Sequence, residues 1–178
     1  MTPIEFFLPG PTFSWREKKK KRTGQHPAVK GNSMALFRVN GQPRISPSGR
    51  TRAAQAALVK ALLEVPERPL VPWAADIRLD VLFVLGVPAS WPRWKREAAL
   101  DGAIRPTATG RGDRGNYLKM FEDGLEGAGF LADDGQICAG EVGKAYGPLP
   151  GFRIRLEALP AGPTSAAEAR ELSATELF

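Results

Sequence analysis

Between Ile77 and Leu85 the chain alternates strictly: Ile77, Leu79, Val81, Phe83 and Leu85 recur at every second position. A period of two puts these five side chains on one face of an extended strand. Leu82 and Val84 make the opposite face apolar as well, which is the pattern of a strand inside a sheet and partly covered on both sides. The fold must therefore be built around a sheet that buries this strand. Other strand signals surround it. Ile4–Leu8 ends at Pro9-Gly10-Pro11, and Ala35–Val39 and Arg44–Ser46 flank the turn signal Asn40-Gly41. Gln136–Tyr146 reads as one strand with small residues, and Phe152, Ile154, Leu156 and Ala158 alternate with Arg153, Arg155 and Glu157 in a half-buried last strand. Arg52–Leu63 is helical, with Ala54, Leu58, Ala61 and Leu62 on one side and Ser48 or Thr51 as its cap. Pro66, Pro69 and Pro72 mark an extended linker, and Arg93–Leu100 a short second helix.

Strands outnumber helices and the two kinds are interleaved, which predicts an α+β single domain with a mixed sheet and packed helices. A length of 178 residues suits one core. From Pro160 the composition turns to Ala, Glu, Ser and Thr, so the expected domain is 1–159, with 160–178 a disordered tail.

Several chemistries drop out early. Cys138 is the single cysteine, expected to pack in its strand, so an intrachain disulfide is impossible. His26 is the single histidine and sits in a basic segment. That removes a multi-histidine zinc site and argues against a Ser-His-Asp triad. No apolar run is long enough to span a membrane, and the N-terminus has no signal-peptide pattern. The charge is uneven. Residues 1–60 hold 12 Lys and Arg against two acids, and the remainder holds 13 against 17. Arg16, Lys18, Lys19, Lys20, Lys21 and Arg22 concentrate it in an expected basic loop at about 14–34. Such a block repels itself, stays disordered and orders on a phosphate backbone. Trp15 beside it is either core or a surface on which a base stacks.

The stretch Gly112–Ile137 carries the chemistry. A glycine-rich loop bearing Asp113 leads into an amphipathic helix, about Asn116–Glu126. Tyr117, Phe121 and Leu125 line one face, and Lys119 and Asp123 lie on the other. Gly127 and Gly129 end the helix, and Asp133-Asp134 follow at a turn. If the helix packs back on the sheet, its N-terminal loop and the Asp-Asp turn can meet at one edge. Carboxylates suit a hard cation such as Mg²⁺, and two such ions about 4 Å apart can clamp a phosphodiester. A lysine one turn into the helix can neutralise charge on the scissile phosphate. The same residues also fit a simpler reading, in which Asp133-Asp134-Gly135 is only a turn and Asp113 only serves the helix N-terminus.

Three segments together resemble the RusA family of Holliday junction resolvases. They are Asp113-Arg114-Gly115-Asn116-Tyr117-Leu118-Lys119, Asp123-Gly124-Leu125 and Asp133-Asp134-Gly135-Gln136-Ile137. Ser90–Leu100, with Trp91, Lys95 and Arg96, resembles the segment found ahead of that motif in phage-borne members, with one extra residue before the basic pair. The order of elements agrees over about residues 3–159. The resemblance implies an Mg²⁺-dependent endonuclease, Mn²⁺ being able to substitute, that resolves four-way DNA junctions by paired symmetric nicks and leaves 5′-phosphate ends. It implies a homodimer in the cytoplasm, bacterial or phage-encoded, acting in recombination, repair or phage DNA processing. It also implies the roles. Asp113 and Asp134 bind metal with Asp133 as helper, and Lys119 steadies the phosphate or orients water. Asn116 holds the loop, and Arg93, Lys95, Arg96 and Lys144 join the basic segment on DNA. The family's second motif aspartate falls at Gly115, which has no side-chain oxygen. Another acid (Asp133 is nearest) replaces it, or metal binding is weak, or the chain binds junctions without cutting them. The last residues, Glu176-Leu177-Phe178, resemble the end of sliding-clamp-binding peptides.

Overall fold

The computed structural model describes residues 2–17, 20–25, 34–39, 42–107, 114–163, 165, 166 and 168, with backbone alone at 12–17, 20, 23–25, 34–39, 42–47 and 116. The alternating run forms β6 (Ile77–Gly86), the centre of the main sheet. It pairs antiparallel with β9 (Gly151–Ala158), which pairs antiparallel with β1 (Ile4–Pro9). On its other edge β7 (Ile137–Ala139) and β8 (Val142–Gly147) run parallel to it, one after the other. The sheet is therefore mixed, as expected for an α+β domain. A parallel return needs a crossover, and residues 87–136 supply it with α2 (Arg93–Leu100) and α3 (Arg114–Gly127).

The helix-facing side of the sheet is the core. Ile77, Leu79, Val81, Phe83 and Leu85 are all buried, as the alternation requires. α1 (Gly49–Leu63) lays Ala54, Leu58 and Leu62 against α3, which lays Tyr117, Phe121 and Leu125 on the sheet. Ser48 caps α1, accepting from the Thr51 amide at 3.1 Å. Phe121 stacks on Phe152 with centroids 5.1 Å apart and meets Phe83 edge-on at 6.2 Å. Each such buried side chain contributes about 1.5–3 kcal/mol. Gly124 is small because α1 crosses there: a Cβ would sit 2.9 Å from Leu58 Cδ2.

Three sequence expectations change. The basic segment read as a loop pairs as a hairpin, β2 (Thr12–Glu17) with β3 (Lys20–Gln25), in the register Arg16↔Lys21 and Trp15↔Arg22. Alternation sends successive residues to opposite faces of a strand, so the like charges need not crowd one side. Lys18, Lys19 and His26 lie outside the described residues. The Ala35–Val39 and Arg44–Ser46 signals do pair, as β4 (Met34–Val39) and β5 (Gln42–Pro47).

Gln136–Tyr146 is not one strand. A 3₁₀ turn, Asp134–Gln136, precedes β7, and the chain breaks at Gly140 before β8. Gly140 has φ 136°, and a Cβ there would lie 1.9 Å from Leu79 O, so only glycine passes this close to β6. Cys138, expected to pack, is exposed on this edge strand.

Asp80 holds the break from the neighbouring strand. Its Oδ1 accepts the Glu141 amide at 2.7 Å and its Oδ2 accepts Arg78 Nε at 3.1 Å. The Arg78 hydrogen bond, followed by that from Glu141, keeps the Asp80 carboxyl below its ordinary range despite partial burial. Its charged form therefore stabilises the fold above about pH 3.9, and that contribution is lost as pH falls through the lower folded value. Asp80→Ala is expected to lower stability at pH 7 by about 1.5–3 kcal/mol. Urea midpoints should converge with wild type towards pH 2, and an equal gap at both pH values would refute the role of the charge.

Candidate active site

α3 presents its core stripe inward and leaves Gly115, Lys119 and Glu122 along another side, at spacings i, i+4 and i+7. Gly129, at φ 73°, ends the helix and turns the chain back. Trp73 then fastens the return: its amide donates to Phe130 O at 3.0 Å, and Ala132 N donates to Trp73 O at 3.1 Å. This brings Asp134 beside the middle of α3, fifteen residues from Lys119 in sequence.

Lys119 Nζ pairs with Asp134 Oδ2 and, at 2.8 Å, with Asp123 Oδ1. These bonds, from Asp123 and then Asp134, hold its pKa above the ordinary lysine range. It therefore stays an ammonium at any physiological pH, fit to neutralise an anion and unfit to remove a proton. Glu122, half-buried one helical turn on, has its carboxyl pushed up, first by burial and then by the charges of Asp134 and Asp123, against the pull of Lys119. Glu122 has no role in the motif, because nothing in its spacing says that Asp134 arrives nearby.

The two acids of the Asp-Asp pair do different work. Asp133 caps the 3₁₀ turn, its Oδ1 accepting the Gly135 amide at 2.7 Å. That is the turn function the sequence also allowed. Asp134 faces Lys119. Asp113 lies outside the described residues, as does the side chain of Asn116. Carboxylate oxygens are the right donors for a hard divalent cation, so Asp134 fits such an ion as one ligand of a set. Among the described residues no three His, Cys, Asp or Glu side chains are grouped to hold a metal ion.

The basic candidates fall in two places. α2 packs beside β8, and its Ala99 is buried. Lys95 Nζ sits 4.3 Å from the centroid of Trp91, whose ring meets Tyr146 of β8 edge-on at 5.3 Å. Lys144 pairs in register with Phe83, on the helix-facing side of β8. Arg114 Nη1 reaches Val142 O at 3.3 Å, tying the start of α3 to the same strand. Lys95, Lys144 and the start of α3 thus gather at the β8 edge. Arg93 pairs with Glu97 at 2.7 Å, and Arg96 is exposed. Arg16, Lys20, Lys21 and Arg22 lie on the β2–β3 hairpin instead.

No helix among the described residues is long and apolar enough to cross a membrane. No curated protein matches the sequence. The model of one protein family, described as endodeoxyribonuclease RusA, matches residues 27–157. That span takes in α3, the acid turn, α2 and all of the main sheet but β1 and the last residue of β9. The β2–β3 hairpin lies ahead of it.

Proposed function

Because the chain belongs to the RusA endodeoxyribonuclease family, we propose that it is a Holliday junction resolvase that nicks four-way DNA with Mg²⁺, Mn²⁺ being able to substitute. The observation that carries this reading is the fixed ammonium of Lys119 on Asp134 at the side of α3. In this reading Asp113 and Asp134 hold the metal, with Asp133 beside them. The ion, when bound, supplies Lewis-acid stabilisation of the scissile phosphate. Lys119 contributes a permanent positive charge where negative charge develops. Lys95, Lys144, Arg93 and Arg96 guide a strand along the β8 edge, and Arg16, Lys18, Lys19, Lys20, Lys21 and Arg22 add sequence-independent attraction to phosphates.

The family reading also makes the protein a homodimer, whose two-fold symmetry matches two symmetric cuts. The sheet face away from α1 and α3, with the end of α2 at its rim, supports it. A groove there is lined by Phe7, Leu82, Val84, Leu100, Leu149 and Arg153, and Phe7, Leu100 and Leu149 stand out as exposed apolar residues. The setting is the bacterial cytoplasm, on chromosomal or prophage DNA. The clamp-like end Glu176–Phe178 lies outside the described residues.

Gly115 favours a second reading, a junction-binding protein without cleavage. Both are tested by incubating a labelled four-way junction and a linear duplex of the same sequence in Mg²⁺, with gel shifts in Ca²⁺. Paired nicks confined to the junction are expected. Tight junction binding without nicks would establish the second reading, and equal weak binding of both DNAs would overturn the two together.

A further inference from the structure

Gln136 uses its side-chain amide in full. Oε1 accepts the backbone amides of Ala132 and Asp133, each at 2.9 Å. Nε2 donates to the carbonyls of Trp73 at 3.0 Å and Ala75 at 2.7 Å. A primary amide has two donors and an oxygen with two lone pairs, so no capacity is left over. The two Nε2 bonds join the acid turn to the segment that leads into β6, more than sixty residues upstream, and the two Oε1 bonds close the turn on itself. Asp134 sits within the clamped stretch: Asp133 before it is held by Oε1, and Gln136 itself is the third residue of the turn.

We infer that Gln136 is a positioning residue for Asp134: its amide fixes the turn at the place where the Asp134 carboxylate meets the Lys119 ammonium. Only this side chain fits. A glutamate of the same length has no donor when ionised and would face two carbonyl oxygens. Asparagine is one methylene short of the span, and methionine keeps the length without the bonds. Asp133, by contrast, stabilises the turn from within and does not reach the upstream strand end. The consequence for cleavage rests on the nuclease reading above, whereas the effect on the Lys119–Asp134 contact does not.

The experiment compares wild type, Gln136→Met and Leu156→Ala, the last a buried residue of β9, across β6 from the strand that follows the turn, which serves as a control for lost stability. Zero-length carbodiimide cross-linking followed by peptide mass spectrometry reads the contact directly, because Lys119 also pairs with Asp123 and supplies an internal reference. The ratio of Lys119–Asp134 to Lys119–Asp123 cross-links is expected to fall about tenfold in Gln136→Met, since small displacements of reacting groups have large effects, and to hold in Leu156→Ala. Junction cleavage should lose about 10–100-fold in kcat, with KM and the junction Kd in Ca²⁺ unchanged. An unchanged cross-link ratio, or a kcat that falls no further than in Leu156→Ala, would overturn the inference. If wild type binds no junction, the nuclease reading fails and the cross-link ratio still decides for Gln136. Should Gln136→Met not fold, Gln136→Asn is read in the same way.

Discussion

Lys119→Met is expected to lower single-turnover junction cleavage by about 10²–10³-fold, the effect of removing one preorganised charge from a developing oxyanion. That corresponds to about 2.7–4 kcal/mol of transition-state stabilisation. The fold should survive. Lys119 is about half exposed, and its partners Asp123 and Asp134 also reach solvent, so the pairs add at most about 1 kcal/mol to stability. Methionine keeps the length of the stem along α3. The melting temperature should therefore move by only a few degrees for a domain of this size, and junction affinity in Ca²⁺ should stay within tenfold of wild type, because one phosphate contact among many is lost. Rate and affinity together decide the assignment. A loss of rate below tenfold would remove Lys119 from the reacting phosphate. A loss of affinity as large as the loss of rate would make it a DNA-binding residue and nothing more.

Local periodicity made most of the scaffold readable. The alternation at Ile77–Leu85 and the 117/121/125 stripe each describe one element and the surface it buries, and both follow from geometry within a few residues. What the sequence could not separate depends on distant partners. Asp133 and Asp134 are identical and adjacent, yet one caps a turn and the other meets Lys119. Which does which is settled by where the 3₁₀ turn starts, and that is set in part by Gln136 bonding to Trp73 and Ala75. The motif contained Gln136 without giving it a task, because its partners lie on the far side of α2 and α3 in sequence. The break at Gly140 was hidden for the same reason: the atom that forces glycine there is the Leu79 carbonyl. In the basic segment charge density argued for disorder, whereas pairing across the hairpin depends on register, which a count of charges does not see.

Gly115→Asp is expected to raise junction cleavage by about 10²-fold or more, the scale on which a group that meets charge in the transition state acts, and to lower the Mg²⁺ concentration needed for half-maximal rate. The site has room for the change. Gly115 is exposed in the first turn of α3, and a Cβ there meets nothing within 4 Å. Folding should gain as well, since a carboxylate in the first turn adds about 0.3–1 kcal/mol through the helix dipole. A rise in rate therefore cannot be assigned to rescue of an unstable fold once the melting temperatures are compared. One competing effect is built in. The new carboxylate would stand four residues before Lys119, the favourable order for an i,i+4 pair, and could draw the ammonium away from Asp134. If that pairing won, the Lys119–Asp134 cross-link would fall and the rate with it. If the rate rises while junction binding in Ca²⁺ is unchanged, the scaffold is competent and the missing oxygen limits the native chain. If the rate is unchanged, another acid already completes the site. Glu122 is then the residue to replace next, because it lies on the same side of α3 and already feels the charge of Asp134.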